Sequence, residues 1–124
     1  MTVFSAYRDN LLDRPSMVDG GRCVVCGRPA TNRHHVIPKG MGGVPKALER
    51  RIPKLLLCGG GNASGCHGMA HAHTLHLNWS DAMGWCFLVT DEPMDDELAW
   101  RTRARDFRPL KGQKLEGITY GKRA

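Results

Sequence analysis

The sequence has no run of about 18 consecutive apolar residues, the length that a membrane-spanning helix requires. Its first residues, MTVFSAYRDN, also lack the basic and then apolar layout of a secretory signal peptide. We therefore expect a soluble protein of the cytoplasm with no membrane partner. The 124 residues suffice for one domain, 1–124, with a modest core, and they contain neither internal repeats nor a linker that would divide them.

A disulfide framework is disfavoured, because the five cysteines are an odd number and cytoplasmic thiols stay reduced. Cys23 and Cys26 are separated by two residues and followed by a glycine, a knuckle that lets both thiolates point at one ion. Cys58 and Cys66 enclose seven residues, four of them glycine, so the second pair can fold back on the same ion. Four thiolates predict a closed tetrahedral site for structural Zn²⁺, which would add folding energy to a small core.

Other interpretations of the first cysteine pair lack their usual context. A thioredoxin-type redox motif requires a βαβ unit, whereas c-type haem attachment requires histidine where this chain has Gly27. His67 follows Cys66 directly, so an alternative is that His67 replaces one cysteine as the fourth zinc ligand. Cys86 stands alone in an apolar run and is predicted to be a small buried residue.

The net charge of +6 is concentrated in two blocks. Residues 22–54 contain eight Lys and Arg residues and one acid, whereas residues 55–100 contain six acids and no Lys or Arg. Residues 101–124, expected to form a loose tail, contain eight basic residues and two acids. This pattern predicts that the protein binds nucleic acid through the first basic block and the tail. The alternative is that both blocks are ordinary solvated surface with no binding role.

Apolar patterning and turn residues predict a small α+β fold. Strands are predicted at 32–37 and 54–58, joined by a long loop, and again at 85–90. A short helix is predicted before the Arg14-Pro15 dipeptide, and a second at 66–76, where no proline intervenes. A third helix at 95–105 has its acids in the first turn and its arginines in the last, as the helix dipole favours.

All six histidines lie between residues 34 and 76. His34 and His35 are adjacent, so on a strand their side chains point to opposite faces, and they can divide metal binding and proton transfer between them. His67 and His71 are four residues apart, which on a helix places both imidazoles on one face and lets them share an ion. The two remaining histidines fall off that face.

Four motifs follow one another in a specific order: CxxCG from residue 23, HHVIPKGMGG over 34–43, LLLC over 55–58 and GCHG over 65–68. Together they resemble the HNH endonucleases, particularly small phage and prophage members with a four-cysteine zinc site. The resemblance covers residues of about 20–90. It implies a ββα-metal (His-Me finger) core, in which two antiparallel strands and a helix surround one catalytic divalent ion, and a location in a bacterial or phage-infected cell.

The resemblance also implies a role for each histidine. His34 corresponds to the first ligand of the catalytic ion, His67 to the metal-binding histidine at the start of the helix, and His71 to a ligand of some members only. His35 corresponds to the general base that activates water, while Mg²⁺, Mn²⁺ or another divalent ion holds the scissile phosphate. The implied activity is hydrolysis of phosphodiester bonds in DNA, by nicking or by double-strand cutting.

Basic side chains flank the first two predicted strands and can hold the phosphate backbone without reading sequence. They are Arg33, Lys39, Arg50, Arg51 and Lys54. Nothing in the sequence resembles a helix that reads the major groove. We therefore expect weak sequence preference, or specificity lent by a partner such as a phage packaging or recombination protein.

One position departs from the family pattern. The family's asparagine, which orients the base, usually lies shortly before the cysteine that ends the second strand, and here that place is Pro53. Proline has no N–H or side-chain amide with which to make that hydrogen bond. Either another group between Ala47 and Lys54 orients the base, or activity is reduced. A catalytically silent zinc module that binds nucleic acid or protein is the alternative function.

Overall fold

The computed structural model describes residues 6–37, 46–60 and 64–110. In chain order the helices are α1 (Ala6–Asp9), α2 (Gly65–His71) and α3 (Asp96–Arg103), with 3-10 turns at Lys46–Arg51 and Ala104–Asp106. The strands are β1 (Asn32–His35), β2 (Lys54–Leu57), β3 (Leu75–Ser80), β4 (Gly84–Val89) and β5 (Arg108–Pro109). Within the described ranges, no helix has the length and apolar character needed to cross a membrane.

The strands form two small antiparallel sheets. β1 pairs with β2, so that His34 lies opposite Leu55 and His35 lies opposite Lys54. The other sheet has the order β3-β4-β5, and β3 and β4 pair along their whole length from Leu75 to Ser80. The prediction of a small mixed fold of helices and strands is therefore confirmed.

The N-terminal segment is tied to β2 rather than standing apart. Leu11 is fully buried, and Met17 forms a parallel bridge with Leu55. The backbone N–H of Met17 donates to the carbonyl of Lys54, and the N–H of Leu56 donates back to the carbonyl of Met17, both at 2.9 Å. The short helix predicted before Arg14 is present but ends early, at Asp9, and the chain reaches β2 through turns.

The helix predicted over 66–76 ends at His71, and its last two residues belong to β3 instead. His73 has a φ of 64°, and its N–H donates to the carbonyl of Ala70 while the N–H of Thr74 donates to that of Met69. These are the two hydrogen bonds of a Schellman motif, which terminates a helix with one left-handed residue. The chain then leaves in the direction of β3.

Residues 101–110, which the sequence assigns both to the end of a helix at 95–105 and to the start of a loose tail, form ordered elements in the structure. α3 continues to Arg103, and after the 3-10 turn Phe107 and Leu110 are buried. The N–H of Leu110 donates to the carbonyl of Trp85 at 3.0 Å, which fixes the segment to β4. Two buried apolar side chains and one short strand therefore hold this segment against the rest of the protein. Residues 111–124 lie outside the described residues.

The buried side chains form two clusters. The larger one joins the cysteine knuckles and β1–β2 to β3, β4 and the N-terminal segment. The smaller one lies between β4 and α3 and contains Cys86, Leu88, Ala99 and Phe107. Cys86 is fully buried, as predicted, and burial raises the pKa of its thiol to about 12.

Candidate metal centres

The first candidate centre contains the four predicted cysteines, whose sulfur atoms all lie within 4.8 Å of one another. None of them is in a disulfide. The Sγ atoms of Cys26 and Cys58 are 3.6 Å apart. Two thiolates on a tetrahedral zinc ion with bonds of about 2.3 Å would be separated by roughly 3.8 Å. The remaining members are Cys23 and Cys66, and the four thiols together can hold a zinc ion.

Two glycines let the second pair of cysteines close on the first. Gly59 has a φ of 127° and Gly65 a φ of 64°, conformations that residues with a side chain rarely adopt. A Cβ on Gly59 would overlap the carbonyl oxygen of Ser64, and one on Gly65 would lie 2.6 Å from the carbonyl oxygen of Cys58. The N–H of Cys66 donates to the Sγ of Cys58 at 3.4 Å. The glycines therefore allow the backbone itself to approach the candidate zinc site.

The protein environment prepares one thiol for ionisation. Burial opposes the ionisation of Cys23, but backbone N–H groups of Cys26, Val25 and Cys58 outweigh it and lower the pKa of this thiol to about 7. Burial, followed by the charge of Cys23, raises the pKa of Cys66. Because the thiolate is the metal-binding form, Cys23 is already close to it at neutral pH.

The second candidate centre contains three histidines, His34 on β1 and His67 and His71 on α2. Their ring nitrogens lie within 4.8 Å of one another. The Nε2 atoms of His67 and His71 are 3.1 Å apart, near the roughly 3.3 Å expected for two nitrogens on a tetrahedral ion with bonds of 2.0–2.1 Å. The imidazole of His67 therefore lies with the other histidines, and the four cysteines lie together without it.

Burial and charge keep His34 in its metal-binding form. Burial, and then the nearby His67, His71 and His35, lower the pKa of His34 to about 3. His34 is consequently a neutral imidazole at pH 7, with a lone pair free for an ion. His67 is buried, whereas the side chain of His71 is exposed. The three histidines, one of them exposed to solvent, could together hold a metal ion.

Hydrogen bonds connect the two centres. The N–H of His67 donates to the carbonyl of Cys58 at 2.9 Å. The side-chain amide of Asn32, on the same strand as the first histidine ligand, donates to the carbonyls of Leu57 at 3.2 Å and Gly59 at 2.7 Å. One amide thus spans the backbone on both sides of Cys58. Folding of the cysteine knuckle therefore fixes the positions of β1 and α2, which carry the histidines.

His35, the predicted base, lies on β1 beside the second centre and is half-buried. It lies opposite Lys54 in the β1–β2 register, and its charge contributes to the lowered pKa of His34. Pro53, which stands where the family pattern has asparagine, accepts a hydrogen bond at its carbonyl from the N–H of Val36 at 3.1 Å. The backbone of Pro53 therefore fixes the residue that follows His35.

The predicted phosphate-binding residues differ in their availability. Arg33 and Arg50 are exposed, and Lys54 is half-buried on β2. The remaining lysine of this set, Lys39, lies outside the described residues. Two arginines and one lysine of the predicted set therefore lie on or next to the β1–β2 sheet.

Arg51 is engaged within the protein. Its Nε and Nη2 donate to both carboxylate oxygens of Asp13, at 3.0 and 2.6 Å. The hydrogen bond from Arg51 lowers the pKa of the Asp13 carboxyl, and the same contact raises the pKa of Arg51. Because a bidentate ion pair occupies the guanidinium, Arg51 is less available to phosphate than Arg50.

His76 belongs to neither centre. Only 1% of it is exposed, its Nδ1 lies 2.6 Å from Asp96 Oδ1, and its Nε2 lies 3.0 Å from the hydroxyl of Thr90. The Thr90 hydroxyl donates to the carbonyl of Glu92 at 2.8 Å. His76 and Thr90 of this Asp-His-Thr trio are buried and Asp96 is half-buried, and the hydroxyl hydrogen is already committed to a carbonyl. It therefore joins β3 to α3 and is not a nucleophilic site.

We expect Asp96→Asn to lower the free energy of unfolding by about 2 kcal/mol, because it replaces the charged partner of the hydrogen bond with the buried His76. Urea denaturation followed by circular dichroism measures the change. Glu97→Gln is the matched control, since it removes the same charge from the same helical turn, and a change below about 0.5 kcal/mol is expected. Equal losses in the two variants would assign the effect to the helix dipole.

Comparison of the chain with protein-family models, with curated proteins and with solved structures finds no match. Function is therefore inferred from the two centres and from the charged residues around them.

Proposed function

We propose that the protein is a metal-dependent endonuclease of the HNH type that hydrolyses phosphodiester bonds in DNA. The convergence of His34, His67 and His71, next to a separate four-cysteine cluster, carries the proposal. Two antiparallel strands followed by a helix that supplies two of the histidines support a ββα-metal core. The four cysteines would hold structural zinc, and the three histidines a catalytic divalent ion.

The chemistry of the ligands narrows the identity of the catalytic ion. All three side chains of the second centre are imidazoles, which suit transition metals better than they suit Mg²⁺. A divalent ion in such a site supplies Lewis-acid stabilisation to the phosphate and to the departing 3′ oxygen. We therefore expect a transition metal to support more activity than Mg²⁺ at the same concentration.

His35 would take the proton. An imidazole accepts a proton from water near neutral pH, while the water oxygen bonds to phosphorus and the bond to the 3′ oxygen breaks. His35 is the neighbour of a metal ligand in β1, and its side chain lies outside the histidine group that would bind the ion. This division assigns one histidine to proton transfer and three to metal binding.

Charge supports DNA as the substrate. The net charge is +6, and Arg33, Arg50 and Lys54 lie on or beside the sheet that carries the histidines. Contacts of this kind bind the backbone without reading bases, so cutting with weak sequence preference is expected. Any strong specificity would then come from a partner, such as a phage packaging or recombination protein.

The test combines plasmid nicking with titration of a second metal ion. The zinc-loaded protein is expected to bind one further Ni²⁺ or Co²⁺ ion and to nick supercoiled plasmid with an added transition metal. His67→Ala should weaken binding of the further ion at least about 100-fold, since loss of groups at a metal site typically costs 10–100-fold or more. Its nicking should fall with its metal binding.

A second ligand variant and a histidine outside the centre complete the test. His71→Ala should give the same direction of change, and because its side chain is exposed the fold should survive. His73→Asn removes an exposed histidine whose φ of 64° asparagine tolerates, and it should behave as wild type. Nicking by His67→Ala and His71→Ala at the wild-type rate would refute the metal assignment.

Pro53 favours the second candidate, a zinc module that binds nucleic acid without cutting it. Such a protein would lack the asparagine that orients the base. It would bind duplex DNA with zinc alone and would leave plasmid intact with every divalent ion tested. The nicking assay therefore separates the two functions.

A further inference from the structure

A second group of basic side chains lies on the C-terminal part of the described chain, outside the β1–β2 sheet. It consists of Arg101 and Arg103 in α3, Arg105 in the following 3-10 turn and Arg108 in β5, all of them exposed. We call it the arginine surface. Four arginines within eight residues make it the densest positive segment that the structure describes.

Packed side chains hold the backbone that carries the arginine surface in place. Trp100 and Phe107 stack edge to face with their ring centroids 4.9 Å apart, which brings the end of α3 against the start of β5. Ala99 and Phe107 are buried in the smaller core cluster, and Leu110 is buried in the larger one. The arginines are therefore held on an ordered element, so less conformational entropy is lost when they bind a ligand.

Three of the four arginines have no ion-pair partner among the residues that the structure describes. Arg103 Nε lies 3.0 Å from Asp106 Oδ2, which offsets its charge. Among the described residues, the ion pairs include neither Arg101 nor Arg105 nor Arg108. The acids of α3 lie at its other end, in the first turn.

We propose that Arg101, Arg105 and Arg108 bind the phosphate backbone of the DNA duplex that the histidine centre would cut. This inference rests on the proposed function. Guanidinium groups bind phosphate through paired N–H donors, and they bind it in any sequence. The contact would anchor the duplex at a second place, outside the metal centre.

The helix that carries the arginine surface begins beside the end of α2, which supplies two of the histidines. The N–H of Met94 donates to the carbonyl of His73 at 3.0 Å, and the carboxylate of Asp96 lies 3.8 Å from the ring of His73. At about 1.5 Å per residue, Arg101 lies roughly 8 Å along the axis of α3 from Asp96. A short ordered helix therefore links the two regions.

The composition of the surface favours nucleic acid over an acidic protein. Between residues 101 and 106 no apolar side chain is larger than alanine, and all six residues are exposed. Protein interfaces have a well-packed apolar core that is enriched in aromatic residues and methionine, and this stretch contains neither. A phosphate backbone requires only exposed cations.

The probe is a fluorescently labelled 30-base-pair duplex, with binding followed by anisotropy over a series of salt concentrations. The protein is zinc-loaded, and no further divalent ion is added, so no cutting occurs. We expect R101Q/R105Q/R108Q to lower the magnitude of the slope of log K against log salt by about 2.7, since each lost phosphate contact removes about 0.9. Each single substitution should remove about one third of that.

Two control variants separate contact from general charge. R103Q/D106N removes an ion pair without changing the net charge, and it should bind as wild type. Ala82→Glu, in the exposed turn between β3 and β4, lowers the net charge by one, as Arg105→Gln does. If Ala82→Glu reduces the slope as much as Arg105→Gln, or if the triple variant keeps the wild-type slope, the proposed contact is refuted.

The result is separable from the fate of the nuclease proposal. In one outcome the wild type fails to nick plasmid with every divalent ion while the triple variant shows a reduced salt slope. That pair of results would reject the nuclease and retain the contact as a DNA-binding surface. Nicking by the wild type together with an unchanged slope in the triple variant would reject the contact alone. Zinc content and circular dichroism of each variant verify that these exposed substitutions leave the fold intact.

Discussion

Replacement of Cys58 by serine is expected to unfold the domain and to release its zinc. The Sγ of Cys58 lies 3.6 Å from that of Cys26 and accepts from the N–H of Cys66, while its carbonyl accepts from the N–H of His67. Binding of structural zinc contributes about 10–16 kcal/mol in small zinc domains, whereas a whole domain is stable by only about 5–15 kcal/mol. Loss of one thiolate therefore removes more stability than the small core can replace.

Zinc content by mass spectrometry and the far-ultraviolet circular dichroism of purified protein measure this effect. Cys86→Ser is the matched control, because Cys86 is buried but lies outside the four-cysteine cluster. We expect it to keep one zinc ion and to lose only about 1–2 kcal/mol of stability from burial of a more polar group. A folded Cys58→Ser protein with a full equivalent of zinc would show that Cys58 is not a ligand.

Features set by local spacing were predictable from the sequence. The two residues between Cys23 and Cys26, and the glycines between Cys58 and Cys66, let the two sulfurs of each pair approach one another. The hydrogen bond from the N–H of Val24 to the carbonyl of Leu56 brings the two pairs together. In the same way, one helical turn of α2 brings two imidazoles to one face. These motifs require only a turn or a helix, and both depend on a few neighbouring residues.

The strand β3 was not among the predicted elements, although its sequence LHLNWS alternates apolar and polar residues as a strand does. The helix predicted over 66–76 took the first two residues of β3, and the structure buries apolar and polar residues of this strand alike. The preceding helix ends at a left-handed His73, where glycine or asparagine is the usual signal. Pairing with β4 over six residues decides the conformation, and that pairing is a tertiary interaction.

Contacts between distant residues were also outside the reach of sequence patterns. Arg51 pairs with Asp13, 38 positions earlier, and was predicted to bind phosphate because it stands in a basic block. His76 pairs with Asp96, 20 positions later, although it lies among the candidate metal ligands in sequence. In both cases the partner is chosen by the fold, and composition indicates only that a charged or polar residue is present.

His35→Ala is expected to abolish plasmid nicking while zinc content, fold and binding of the further metal ion stay intact. A positioned general base accelerates a reaction typically 10²–10⁴-fold, so a loss of that size is expected with any supporting metal. His35 is half-buried and belongs to neither group of candidate ligands, so its removal should leave both centres assembled. Conversion of supercoiled to open-circular plasmid over time measures the rate.

The combination of readouts assigns the role of His35 independently of the other histidines. His73→Asn, which also removes one imidazole, should nick at the wild-type rate, and His34→Ala should lose both the further metal ion and nicking. Wild-type nicking by His35→Ala would transfer the role of base to another group. Loss of the further metal ion in His35→Ala would make His35 a ligand. Adjacent residues of a strand face opposite sides, so His34 and His35 could contact one ion only if β1 were distorted at its end.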